Sequence, residues 1–189
     1  MSIRQAILIS GSRNPHGQTA RAAEAFLDGL KTAGVGCESF FLPSMMIERC
    51  RQCDEKGWGQ CHAEDRCSIR DDFAGLVAKI KACDLVVFAN PVYFGDLSES
   101  MRAFLDRLRR TCRQEKGRAG IATKHAVGIC VAGGGGGGAP ACMVSMERFL
   151  ATCGFDVLDL IPVRRQNLDL KVELLRATGR WIATHPPVV

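Results

Sequence analysis

Leu85-Val86-Val87-Phe88-Ala89 leads into Asn90-Pro91-Val92-Tyr93-Phe94-Gly95-Asp96, and this stretch decides the fold. An unbroken apolar run with no polar alternation suits a strand buried on both faces, as in a parallel sheet covered by helices. Upstream, Ala6-Ile7-Leu8-Ile9 has the same character and ends in Ser10-Gly11-Ser12. From Thr19 to Ala33 the residues Ala23, Phe26, Leu27 and Leu30 recur at helical spacing, and Gly34 and Gly36 stop that helix. Val35 to Leu42 reads as the second strand. Pro43 to Ser68 has no clean period. Phe73, Leu76, Val77 and Ile80 then mark a helix behind Asp71-Asp72, which suit a helix start. Downstream of Gly95, Met101, Phe104, Leu105 and Leu108 give a helix an apolar face, with Ser98 as its cap. Ala126 to Ala132 is a fourth strand, Met146 to Cys153 a helix, Phe155 to Val163 a fifth strand, and Leu170 to Ala183 a final helix. This alternation predicts an α/β fold, a doubly wound five-stranded parallel sheet of order 2-1-3-4-5 with helices on both faces. No repeat or linker interrupts it. The expectation is a single domain over residues 1–189 with a cysteine-rich insertion loop at about 43–69.

Composition narrows the function. With 47% hydrophobic and 24% charged residues, the chain can bury a core and is not disordered. The net charge of +5 suits an anionic ligand but is too small to argue for nucleic acid. No apolar run is long enough to span a bilayer, and Met1 to Gln5 runs directly into a strand without a signal-peptide core. The expectation is a cytoplasmic protein with no membrane or nucleic-acid partner. Ten cysteines in a chain this long, without an export signal, do not read as a disulfide framework.

In an open parallel sheet, ligands bind outside the carboxyl ends of the strands, where the strand order switches. Three strand ends here differ from ordinary connections. Ser10-Gly11-Ser12-Arg13-Asn14-Pro15-His16-Gly17-Gln18-Thr19 opens a helix, so backbone N–H groups and the helix dipole converge on an anion. It has neither P-loop nor dinucleotide-fold glycine spacing, and Ser12, Arg13 and Thr19 suit a single terminal phosphate. A polar turn with a helix cap is the other reading. Pro91-Val92-Tyr93-Phe94-Gly95 leaves apolar and aromatic residues where a plain loop is polar, a wall for a flat ring or an extension of the core. Six consecutive glycines, Gly133 to Gly138, carry an entropic cost that close approach of backbone to a planar ligand would justify. Low-complexity drift accounts equally for Gly136 to Gly138. All three loops follow strands that adjoin in the expected sheet.

On these residues the chain resembles the NADPH-dependent FMN reductase family of flavodoxin-like proteins, and within it the iron–sulfur flavoprotein branch. The resemblance runs through Gly11-Ser12-Arg13, Gly17-Gln18-Thr19, Cys50-x2-Cys53 down to Asp71-Asp72, Pro91 to Gly95, Met101 and Phe104-Leu105-Asp106-Arg107. It implies that Ser12, Arg13, Gln18 and Thr19 hold the FMN phosphate. Pro91, Val92, Tyr93, Phe94 and Gly95 would line the isoalloxazine and ribityl chain, and Ala132, Gly133 and Gly134 would present backbone to the ring's polar edge. No side chain need be a general acid or base, because FMN carries the hydride chemistry. NADPH or NADH would be the donor, with a quinone, free flavin or other small molecule as acceptor. By the same resemblance, the chain forms a homodimer or homotetramer.

The cysteine spacing is Cys50-x2-Cys53-x7-Cys61-x5-Cys67. Four thiolates in one loop can ligate a 4Fe-4S cluster or a tetrahedral zinc, or remain free thiols in a structural loop. Against the iron–sulfur branch the third cysteine sits further on, with Lys56 where a closer one would fall and Gly57-Trp58-Gly59 between. Lys56 and Arg66 nearby favour thiolates. Two rival functions follow: an iron–sulfur electron carrier serving a protein partner, and a thiol or zinc redox sensor. The run Arg107, Arg109, Arg110, Arg113, Lys116, Arg118 and Lys124 reads as a solvated surface, with attraction of the NADPH 2′-phosphate as the alternative.

Overall fold

The computed structural model describes residues 2–185. Strands β1 (Gln5–Ser10), β2 (Gly36–Phe41), β3 (Leu85–Pro91), β4 (His125–Ala132) and β5 (Asp156–Arg164) form one sheet of order β2-β1-β3-β4-β5. Every pairing is parallel. This is the architecture that the apolar runs predict. The helices are α1 (Gln18–Thr32), α2 (Gln60–Ala63), α3 (Phe73–Ala82), α4 (Glu99–Thr111), α5 (Glu115–Arg118), α6 (Ala139–Cys153) and α7 (Leu168–Thr184). The two short helices, α2 and α5, have no counterpart in the hydrophobic periodicity, and α7 starts at Leu168 rather than Leu170. Among the described residues no helix is long and apolar enough to cross a membrane.

Because strand side chains alternate, β1 and β3 feed two cores. Ile7, Ile9, Val86 and Phe88 pack with α3, α4 and α6 on one face. Ala6, Leu8, Leu85, Val87 and Ala89 pack with α1 and α7 on the other. Ser98 caps α4 as expected, its Oγ accepting from the Met101 N–H at 3.4 Å.

Helices α1 and α7 touch backbone to backbone. A Cβ built on Gly29 would stand 2.2 Å from the Arg176 carbonyl oxygen, and one on Gly179 would stand 2.2 Å from that of Phe26. The methyl of Gly29→Ala meets main chain that cannot rotate away. We expect that substitution to lower the unfolding free energy by about 1–3 kcal/mol, seen as a lower urea midpoint at unchanged slope.

Candidate functional site

The sheet order brings the ends of β1, β3 and β4 side by side. Ser10 is in register with Ala89, Pro91 with Val131, and the Gly11 N–H donates to the Ala89 carbonyl at 2.9 Å. The loop after β1 turns on Asn14, whose side-chain oxygen accepts from the His16 N–H at 2.9 Å. Ser12 is buried, and its hydroxyl bridges the backbone of Asn14. Gly17 at the start of α1 supplies no capping side chain, and the first turn holds no acidic residue. The leading N–H groups of a helix have no partner inside it. This end therefore presents donors and positive potential toward the mouth of the site. Thr19 is buried in the first turn, and Arg13 in the preceding loop is exposed.

Gln18 gives the sharpest signal. Its Oε1 is buried and has no hydrogen-bond partner. It stands 3.4 Å from where a Cβ on Gly133 would sit, in the gap between α1 and the glycine loop. A buried acceptor left unpaired costs about 1–3 kcal/mol, so a bound donor in this gap is favoured.

On the β3 side, Tyr93 and Asp96 exchange two backbone hydrogen bonds of 3.0 Å across a tight turn. Its central residues, Phe94 and Gly95, both lie at positive φ (52° and 81°). Tyr93 is partly exposed and Phe94 fully exposed. A bulky side chain held in a left-handed conformation and offered to solvent marks a functional loop rather than a core extension. Pro91 and Val92 stay half-buried, with Pro91 inside β3 rather than after it. Beneath the turn, the buried Asn90 takes hydrogen bonds from the Ser98 N–H and hydroxyl at 3.1 and 3.0 Å. This ties the end of β3 to the start of α4.

Ala132 ends β4, and Gly133 to Gly138 cross to α6. The glycines divide differently from the expectation. Gly134, Gly135 and Gly137 stand in open space at ordinary φ, whereas Gly136 and Gly138 have positive φ and meet neighbours. A Cβ on Gly136 would lie 2.2 Å from Gln166 Oε1, and one on Gly138 would lie 2.7 Å from the Gly95 Cα. Drift is therefore the wrong account of Gly136 and Gly138, which the loop geometry requires. Gln166 also donates to the Gly135 carbonyl at 3.1 Å.

A cavity of about 330 Å³ opens between the loops after β1 and β3, lined by Gly11, Arg13, Pro43, Tyr93, Glu99 and Ser100. Ser100 donates to the Gly11 carbonyl at 3.2 Å. Pro43, Glu99, Ser100, Asn90 and Gln166 are absent from the sequence-predicted set. Only the Ser-Glu-Ser start of α4 carried a signal that could have found any of them. A phosphorylated planar ligand fits this set of groups: donors from the acid-free helix end, the guanidinium and the hydroxyls, one unpaired amide oxygen to accept from a ligand hydroxyl or N–H, and exposed aromatic rings.

The cysteine loop behaves otherwise. Among the described residues, no three His, Cys, Asp or Glu side chains are arranged to hold a metal ion. Cys61 lies within electrostatic reach of Cys50 and of Cys67. Cys53 is exposed, with its sulfur 3.4 Å from Ser68 Oγ. As folded here the four thiols do not fit a cluster or a zinc ion. The expected basic neighbours also change. Arg66 pairs with Glu64 at 2.6 Å, while the positive charge nearest in effect to Cys61 is Arg110 of α4. Burial pushes the Cys61 thiol up, and Arg110 only partly offsets it. Cys83, Cys112, Cys130, Cys142 and Cys153 are buried, as small apolar residues are.

The loop is held instead by α4. Arg107 makes a two-pronged ion pair with Asp71, at 2.6 and 2.9 Å, with the two side chains 1% and 4% exposed. Arg107 also donates to the Glu48 carbonyl at 3.0 Å and lies 4.2 Å from the centre of the Phe73 ring. Arg110 and Arg113 stack on Trp58 at 4.4 and 4.7 Å, and Arg110 donates to the Gly57 carbonyl at 2.6 Å. Arg107, Arg110 and Arg113 of the basic run thus clamp the insertion, while Lys116 and Arg118 remain on the exposed surface.

A model of the NADPH-dependent FMN reductase family matches residues 5–162. An iron–sulfur flavoprotein of Methanocaldococcus jannaschii is 30% identical over 126 residues, covering 67% of this chain and 60% of that protein. Another, from Methanosarcina thermophila, is 30% identical over 117 residues, 60% of this chain and 59% of that protein. The chain spans only 45–60% of the length of such curated relatives. Among solved structures, an NAD(P)H:quinone oxidoreductase from Methanothermobacter marburgensis superposes with a TM-score of 0.69. Its identity is 22%, over 100% of both chains. At that identity the likeness shows the fold alone, which is flavodoxin-like.

Proposed function

We propose, since this chain belongs to the NADPH-dependent FMN reductase family, that it binds FMN across the ends of β1, β3 and β4 and acts as an NAD(P)H-dependent oxidoreductase. The observation that carries this reading is the unpaired Gln18 Oε1 at the gap between the acid-free start of α1 and the glycine loop. FMN, when bound, supplies a ring that takes up and passes on electrons. Ser12, Arg13, Thr19 and the amide NH2 of Gln18 would hold its phosphate, and Gln18 Oε1 would accept from a hydroxyl of the ribityl chain. The first-turn N–H groups of α1 would neutralise charge that Arg13 alone cannot. Tyr93 and Phe94 would wall the ring from water, and Ala132, Gly133 and Gly134 would offer main-chain groups without side-chain bulk. Small acceptors, quinones or free flavin, suit a site open to solvent at Phe94. We further read residues 1–189 as one domain with an insertion at about 43–69, forming a cytoplasmic homodimer or homotetramer.

The names of the relatives favour a second reading, an iron–sulfur electron carrier, in which Cys50, Cys53, Cys61 and Cys67 would have to rearrange to bind a cluster. One sample tests both. Protein purified without oxygen should show two resolved flavin bands, which NADPH bleaches and a benzoquinone restores. Iron and acid-labile sulfide should be absent. Stoichiometric iron and sulfide would transfer the assignment to the second reading, and a colourless protein that takes up no added FMN would end the first.

A further inference from the structure

We propose that Cys130 and Cys142 are a reactive thiol pair, which a small hydroperoxide converts to a disulfide that closes the glycine loop at its base. Cys130 lies on β4 and Cys142 in the first turn of α6, with Gly133 to Gly138 between them. Both side chains are fully buried, and their sulfurs stand 3.1 Å apart. Bond formation therefore asks the sulfurs to close by only about 1 Å.

The two thiols have different surroundings. Ser98 donates to the Asn90 side-chain oxygen from both its N–H and its hydroxyl. This turns the Asn90 NH2 toward Cys142, 3.4 Å from its sulfur. Cys142 also sits in the leading turn of α6, where the helix dipole favours a negative charge. The side-chain charges that reach it, Asp96 and Arg102, are paired with each other. The contact with Cys130 and the Asn90 N–H hold the Cys142 thiol below its ordinary pKa, whereas burial pushes Cys130 up. Cys142 is therefore the attacking sulfur and Cys130 the resolving one. A second pair, Cys112 and Cys153, touches at the other end of α6. There Cys112 caps the end of α4 and Cys153 is the last residue of α6, so both helix dipoles oppose a thiolate.

Burial excludes bulky reagents from Cys142. Gly134, Gly135 and Gly137 have open space around them, so the loop above the pair can part for an oxidant as small as hydrogen peroxide. The Cys142 sulfur attacks one peroxide oxygen, the O–O bond breaks and water leaves, giving a sulfenic acid. Cys130 then attacks that sulfur, the S–O bond breaks and a second water leaves. Two thiols and one hydrogen peroxide become one disulfide and two waters. The cross-link restrains six glycines in the unfolded chain, so the oxidised form is the more stable one.

Trypsin, cutting after Lys124 and Arg148, leaves both cysteines, and no other, in the single peptide 125–148. The full chain is treated with hydrogen peroxide, unfolded, alkylated and digested. We expect that peptide to emerge unalkylated and lighter by two hydrogens, and dithiothreitol to restore both alkylation sites. In Cys130→Ser, dimedone should trap Cys142 as a sulfenic acid. In Cys142→Ser, Cys130 should stay a free thiol. Oxidised wild type should melt roughly 5–10 °C above the reduced protein. A wild-type peptide that keeps both alkyl groups, while the insertion cysteines oxidise, overturns the proposal. A Cys112–Cys153 disulfide that forms equally fast also overturns it, because proximity alone would then account for the reaction. The wild-type map decides on its own if either variant fails to fold.

Discussion

Arg107→Ala should lower the unfolding free energy by about 3–5 kcal/mol, and Asp71→Asn by a comparable amount. Neither side chain reaches water, so truncating one leaves the other charge buried without its counter-ion. Asp71 also accepts from the Glu48 N–H at 2.9 Å and the Phe73 N–H at 3.2 Å, joining the insertion, α3 and α4 at one carboxylate. For a chain of this size the loss corresponds to a fall in melting temperature on the order of 10 °C. The pair also sets an acid limit. Burial alone would raise the Asp71 pKa, but the Arg107 guanidinium and the two N–H groups outweigh it and hold the carboxyl below its ordinary value. A depressed folded-state pKa contributes stability above the unfolded value, near 3.9, and loses it as pH falls through the folded one. The wild-type protein should therefore weaken below about pH 4 in a step that Asp71→Asn lacks. Thermal melts from pH 7 to pH 2.5 measure both effects. A melting temperature unchanged in Arg107→Ala would show that the pair is not buried in solution.

The sheet and its helices were legible because each strand is a short apolar run and each long helix carries an apolar stripe, both local in sequence. The insertion was not. Its order comes from contacts far along the chain, between Asp71 and Arg107, Gly57 and Arg110, and Glu48 and Arg107, and no periodicity encodes them. The same distance hid the role of the basic run. Charged residues after Asp106 look solvated until Trp58 and Phe73 are folded against them. At the site, the residue types at three strand ends announced a ligand, yet Gln166 and Asn90 could not be chosen. Their work is to latch one loop to another, which appears only once both loops are placed.

Gly138→Ala should weaken FMN binding at least about tenfold and cost about 1–3 kcal/mol of stability, whereas Gly137→Ala should leave both nearly unchanged. The two positions lie in one glycine run but have opposite surroundings. At Gly138 φ is +81°, and an added methyl would stand 2.7 Å from the Cα of Gly95, which is main chain and cannot swing aside. Gly95 is itself at positive φ, in the turn that presents Phe94. The methyl therefore pushes the aromatic turn and the glycine loop apart, widening the gap in which both would grip the ring. At Gly137 nothing stands within 4 Å and φ is ordinary, so a methyl meets only open space. Titrating each variant's apoprotein with FMN, by quenching of flavin fluorescence, separates the cases. Equal losses at both positions would mean that the run serves the ligand through flexibility alone. A loss confined to Gly138 would tie flavin affinity to the contact between two strand-end loops, the feature that makes the ends of β3 and β4 a single site.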